Sequence, residues 1–268
     1  MANTTGATEK NYLLLLTAAG VLLFISMAGF FTYQSAVARD QSLLNSSRLL
    51  GDTLKSLSKT GADAAAGVTP DFALVKSLSA GFDATLQAYA EGNSDIGISA
   101  LPSSEQPELE ALQTAWVPMR KALNTVEGNA VPFKRVTTNT KAIAEVVPPV
   151  IDAYGEVLEK ATRSGAASNV DAASRQITRL YRILHLARQV VSNGNESENS
   201  AKALAAEVAE FQREHKQLAA SNLFDRAGAK YSNDAFETVN TATVAILQDI
   251  KPAAALQVAA GTLPDLAK

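Results

Sequence analysis

Apolar residues recur at steps of three and four along most of the chain, the spacing of one face of a helix. Leu43, Leu44, Leu50, Leu54 and Leu57 predict a first helix from about Arg39 to Ala66. Val75, Leu78, Phe82, Leu86 and Tyr89 predict a second, opened by Thr69-Pro70-Asp71 and stopped by Glu91-Gly92-Asn93. Ser94 to Gln106, with Gly97 and Pro102, reads as a loop. Leu109, Leu112, Trp116, Met119, Leu123 and Val126 then step 3-4-3-4-3, a coiled-coil-like seam that Pro118 is expected to bend. Glu127-Gly128-Asn129 predicts a stop. A fourth helix follows from about Pro132 to Arg163, with a kink or break near Val147 at Pro148-Pro149, and Ser164-Gly165 closes the set.

The pattern then begins again. Ile177, Leu180, Leu184, Ala187 and Val191 mark a helix from about Asn169 to Ser192. Leu204, Val208, Phe211, His215 and Leu218 mark the next, which stops at Ser221-Asn222. Phe236, Val239, Thr243, Ile246 and Ile250 mark a third from about Lys230, and a last helix is expected to begin near Pro252. Shifted by 129 residues, Phe82 meets Phe211, Leu86 meets His215 and Asn93 meets Asn222; farther on the shift is 116, where Val147-Pro148 meets Leu263-Pro264. The offset changes by 13, the length of the loop Ser94 to Gln106. Such self-similarity marks a duplicated helical unit. The expected fold is all-α, with two tandem four-helix-bundle modules of long, coiled-coil-like helices over residues 35–165 and 166–268. Because the second copy has only four residues after Pro264, its last helix reads as cut short, and a continuation into a second membrane span is expected.

One stretch departs from this periodicity. Asn11 to Ala38 is 28 residues without a charged side chain. Its apolar heart, Tyr12 to Tyr33, would rise roughly 33 Å as a helix, against a bilayer core of about 30 Å. Residues 1–11 are therefore read as a tail and 12–34 as a transmembrane helix, with the bulk of the chain on one side of the membrane. The alternative is a signal peptide cut after Ala36-Val37-Ala38, but the apolar run exceeds the usual 7–15 residues and Glu9 offsets Lys10. Lys10 and the terminal amine against Arg39 and Arg48 leave the orientation open.

Composition narrows the functional classes. The 268 residues carry a formal charge of −3 with no long basic block, so there is no nucleic-acid footprint. Cysteine is absent and His185 and His215 are the only histidines, which excludes thiolate chemistry and argues against a multi-histidine metal centre; no cofactor is expected. No P-loop, G-x-G-x-x-G fingerprint or supported nucleophile–histidine pair occurs, so an enzyme is not expected.

Arg175-Gln176-Ile177-Thr178-Arg179-Leu180-Tyr181-Arg182-Ile183-Leu184, with Val190 to Asn195 and Phe211 to Asn222, resembles the sensory module of the PilJ family of type IV pilus chemoreceptors. Ala115-Trp116-Val117-Pro118, Leu123 and Gly128-Asn129 resemble that module's third helix. The resemblance covers roughly residues 12 to 268 and implies two modules in tandem after one membrane helix. It further implies a homodimeric sensor anchored in a bacterial inner membrane, with its bulk in the periplasm, that serves a methyl-accepting chemotaxis pathway controlling pilus extension and twitching motility. Its input would be pilin contact or tension. The family's contacts to a chemotaxis kinase and adaptor lie in a cytoplasmic region not contained in these residues. Related modules in nitrate-responsive kinases hold an anion with arginine, but here Tyr181-Arg182-Ile183 replaces that motif's serine-rich context. An anion-binding input region of a sensor histidine kinase, or a membrane-tethered structural protein, are the alternatives.

Three candidate sites stand out. Arg175, Arg179 and Arg182 fall within about 60° of arc on a helix at 3.6 residues per turn, and no acid occurs between Asp171 and Glu196. The stripe could hold an anion or meet an acidic partner helix; a solvated helix face is the plainer reading. His215 lies on a seam where the first copy has Leu86, which makes it a candidate pH-sensitive core position. Trp116, on its seam, reads as core packing, and Asp225-Arg226-Ala227-Gly228 as a loop.

Overall fold

The computed structural model describes residues 37–96, 98–192, 194–219, 223–224 and 226–267. They form seven α-helices: α1 (Val37–Ala65), α2 (Phe72–Glu91), α3 (Gln106–Gly128), α4 (Ala130–Arg163), α5 (Ala167–Ser192), α6 (Ser197–Ala219) and α7 (Arg226–Leu266). No strand occurs among the described residues; the loop before α3 holds two 3-10 turns and one isolated bridge, Asn93 to Ile98. The chain is all-α, as its periodicity predicts.

Local chemistry sets several boundaries. The Asp71 carboxylate accepts hydrogen bonds from the backbone N–H groups of Ala73 (3.0 Å) and Leu74 (3.1 Å), closing the start of α2. Gly92, at φ +82°, ends the same helix and donates its N–H to Ala88 O at 2.8 Å.

The expected proline breaks do not occur. α4 runs through Pro148 and Pro149, and α7 runs unbroken through Pro252 and Pro264, so no new helix begins near Pro252. A proline removes one backbone donor and strains the preceding turn. Here Val147 and Val150, and Ile250 and Ala253, are buried on either side, and their packing holds the helix together. The Glu127-Gly128-Asn129 stop is likewise short. Asn129 alone separates α3 from α4, and Phe133 N–H still donates to Asn129 O across four residues. Arg226 to Gly228, expected in a loop, open α7, while Asp225 lies outside the described residues.

Two compact units emerge. Unit 1 takes α1 up to Ala64, Pro70–Gly128 and the chain from Ala259; unit 2 takes Ala65–Thr69 and Asn129–Val258. These units do not follow the tandem order of 35–165 and 166–268, because α4 packs on α5 and α7 supplies residues to both. In unit 1, Leu57, Phe82, Leu109, Met119 and Leu123 are buried. Gly61 lets α1 approach the end of α7: a Cβ there would lie 2.7 Å from Leu263 Cβ and 2.8 Å from Ala260 O. In unit 2, Phe133, Tyr154, Leu180, Ile183, Leu204, Phe211, Ile246 and Leu256 come from α4, α5, α6 and α7. The seams predicted for α3, α6 and α7 are buried throughout. On α5 the buried line is Ala173, Gln176, Leu180, Ile183, Ala187 and Val190, while Ile177, Leu184 and Val191 are half-buried.

The inner-membrane placement requires correction. Among the described residues, no helix is long and apolar enough to cross a membrane. α7, the longest, carries Lys230, Asp234, Glu237, Asp249 and Lys251 along its length. The stretch 12–34, read above as the span, lies outside the described residues.

Phe211 stacks on Phe236 with ring centroids 4.5 Å apart and meets Tyr154 edge-on at 5.5 Å. Phe211→Ala should therefore cost about 3–5 kcal/mol of unfolding free energy, whereas Asp71→Ala should cost about 1 kcal/mol. Urea titration followed by circular dichroism measures both.

Candidate functional site

The arginine stripe of α5 faces an acidic stripe on α6. Glu207, Glu210 and Glu214 recur at steps of three and four, the spacing of Arg175, Arg179 and Arg182. The pairing is antiparallel. Arg182 Nη1 lies 2.9 Å from Glu207 Oε1, and Arg175 Nε lies 3.8 Å from Glu214 Oε2. Arg179 sits between them. Its Nη1 is 3.4 Å from Glu207, and its Nη2 is 3.2 Å from Glu214 and 3.8 Å from Glu210. Arg175 is also bonded to Asp171, one turn earlier on α5, and Arg213 to Glu210. The acidic partner helix that the stripe calls for is thus α6 of the same chain. The three guanidinium charges are paired with carboxylates within unit 2.

Exposure differs along the ladder. The Arg179 side chain is 23% exposed, and Glu207 and Glu214 are 13% and 18%, whereas Arg182 is 65% exposed. Coulombic attraction gains as water is excluded, so Arg179 is the member that matters for stability. Its Nε and the Glu214 Oε2 make no hydrogen bond. Beside them, an open hollow of about 280 Å³ is lined by Ser168, Asn169, Arg175, Glu214 and Gln217.

His215 is buried in the core of unit 2, 3% exposed. Its Nδ1 lies 2.5 Å from the Tyr154 hydroxyl and its Nε2 lies 3.0 Å from Asn233 Oδ1. Phe211 stacks against the imidazole at 5.7 Å, and Phe224 approaches it edge-on at 5.8 Å. Burial lowers the imidazole pKa from its ordinary value, and the hydrogen bond to Asn233 opposes the shift in part. Burial also raises the Tyr154 phenol far above its usual range, with the Glu214 charge adding to the effect, so the hydroxyl stays protonated.

Sequence reasoning missed other polar clusters. Trp116 packs in the core as expected, stacked on Phe82 at 3.9 Å, but its Nε1 also donates to Asp83 Oδ1 at 2.6 Å. Arg120 Nε meets the other Asp83 oxygen at 2.9 Å, and its guanidinium also bonds Ser79 and reaches Glu127. In unit 2, Gln257 accepts from the Ser197 hydroxyl at 2.8 Å and donates to Val191 O, which fixes the α5–α6 turn to α7. Arg135 forms a two-pronged pair with Asp249, both contacts 2.6 Å, which lowers the carboxyl pKa chiefly through hydrogen bonding. Polar residues at one-turn spacing on neighbouring helices were the available signal; which helices neighbour each other was not.

No protein-family model matches the chain, and no curated protein matches it in sequence.

Arg179→Met removes the guanidinium that Glu207, Glu210 and Glu214 share, leaving each with one more exposed arginine, and should lower stability by about 1–2 kcal/mol. Arg182→Met, at an exposed position, should change it by less than about 0.5 kcal/mol. The contrast is read from paired urea titrations at low and high salt; salt should narrow the gap.

Proposed function

We propose that this chain is the sensory part of a methyl-accepting chemotaxis-type receptor of the PilJ kind, controlling type IV pili and twitching motility, with pilin as its partner. In this reading each compact unit is a four-helix bundle, α7 serves both, and the chain acts as a homodimer. The observation that carries it is the ladder between α5 and α6. Arg179 lies within 4 Å of three carboxylates, Glu207, Glu210 and Glu214, spread over two turns of α6. When α5 slides along α6, Arg179 exchanges one carboxylate for another instead of stranding its charge. Packed helices have discrete arrangements, and a shear of this kind is a known way to carry a signal. The continuity of α7 over 41 residues, about 60 Å of helix, extends the distance such a movement can travel. Balanced arginines favour a protein partner over a small anion as the input.

Calorimetric titration of the full chain with purified type IV pilin, and separately with nitrate and phosphate, tests the proposal. Pilin should bind saturably and alter amide-exchange protection along α5 and α6, and the anions should give no saturable heat. Absence of pilin binding removes the reading. Anion binding that disappears in Arg179→Met would replace it with an anion-responsive one.

A further inference from the structure

The imidazole of His215 joins three helices. Tyr154 reaches it from α4 and Asn233 from α7, while His215 itself belongs to α6. The proton inventory is complete when the ring is neutral. Nε2–H donates to Asn233 Oδ1, Nδ1 carries a lone pair, and the Tyr154 O–H donates to it. Protonation puts a hydrogen on Nδ1. The tyrosine can then accept but no longer donate, and its own hydrogen is left in a core where Tyr154 is 0% exposed.

The surroundings supply little to hold the charge. From α4 comes the neutral Tyr154 phenol, and from α7 the neutral Asn233 amide. Asp234, next on α7, is exposed and paired with Lys230. From α5, Gln176 is a neutral amide bonded to Phe211 O, while Arg175 and Arg179 face Glu214. Glu214, which precedes His215 on α6 and whose charge is felt at the Tyr154 phenol, is paired with those arginines. Phe211, Phe224 and Phe236 make up the walls, and their ring faces attract a cation only weakly. Among the described residues, the ring nitrogens bond Tyr154 and Asn233 and no carboxylate.

We propose that Tyr154, His215 and Asn233 form an acid-sensitive latch, closed while the imidazole is neutral and opened by its protonation, which frees α4 from α6. The corresponding position in the first half is Leu86, also buried, which has no atom to titrate, so the device belongs to unit 2 alone. Its direction follows from linkage. A free histidine takes up its proton near pH 6.5, and the folded chain takes it up at lower pH, because burial disfavours the charged ring. The latch therefore contributes fully above about pH 6.5 and is lost as pH falls from there through the folded value. It does not depend on which partner the chain binds.

The test follows the two histidine ring signals of the full chain by NMR from pH 8 downward, together with amide exchange corrected for its intrinsic pH dependence. The His215 signal should titrate below the ordinary histidine value. As it does, exchange around Tyr154 in α4 and around His215 in α6 should quicken at least tenfold while Leu123 in α3 stays protected. His215→Gln, which keeps a neutral polar group, and His215→Leu, which copies the first half, should remove that step. The proposal is overturned if His215 titrates with no change in α4, if it stays neutral until the whole chain unfolds, or if His215→Gln shows the same acid step. Should His215→Leu fail to fold, the wild-type titration and the Gln variant still decide.

Discussion

Helices this long are held by what their buried faces touch, because backbone hydrogen bonding alone leaves a helix in water only marginally stable. α7 shows the constraint most clearly. Ala235, Phe236, Val239, Ala242, Thr243, Ile246, Ile250, Ala253, Leu256, Ala260 and Leu263 form a nearly unbroken buried line along it. That line explains why two internal prolines do not end the helix. The free energy lost with each missing donor is local, whereas the packing on both sides of it is continuous.

Polar groups in the core act as fasteners at chosen points along these apolar seams. Gln257 ties the α5–α6 turn to α7, and Gln176 bonds a carbonyl of α6. Arg120 joins Asp83, Ser79 and Glu127 in unit 1. Each such bond adds modest net stability, but a wrong register would leave a buried polar group unpaired, and that penalty is larger than the gain. Apolar heptads slide past one another with little discrimination; these bonds select one alignment. The Arg179 ladder differs in kind, since one guanidinium lies within reach of three carboxylates.

Much of the fold was legible because burial follows helical periodicity. The seams of α3, α6 and α7 could be read residue by residue. On α5 the line was misread by one position in three places, because Gln176 was set aside as polar while Ile177 was taken as core. A kink or break near Pro148 and a new helix from Pro252 were expected from local propensity; packing carries both helices through without interruption. The arginines were visible as a stripe, but the α6 partners of Arg179 lie 28 to 35 residues away, on a helix whose proximity no local pattern declares. His215 was visible as an exception on a seam, whereas Tyr154 and Asn233 carried no mark of being its neighbours.

The sharing of α7 bears on how the chain is made. Ribosomes release a polypeptide from its N-terminus, so α7 emerges after the other six helices. Unit 1 draws on its residues from Ala259 and unit 2 on those up to Val258. During synthesis both cores therefore wait, each with an open apolar side, for one late helix. A nascent chain of this design carries its greatest exposure of greasy surface just before α7 emerges, which is when a chaperone would have most to cover.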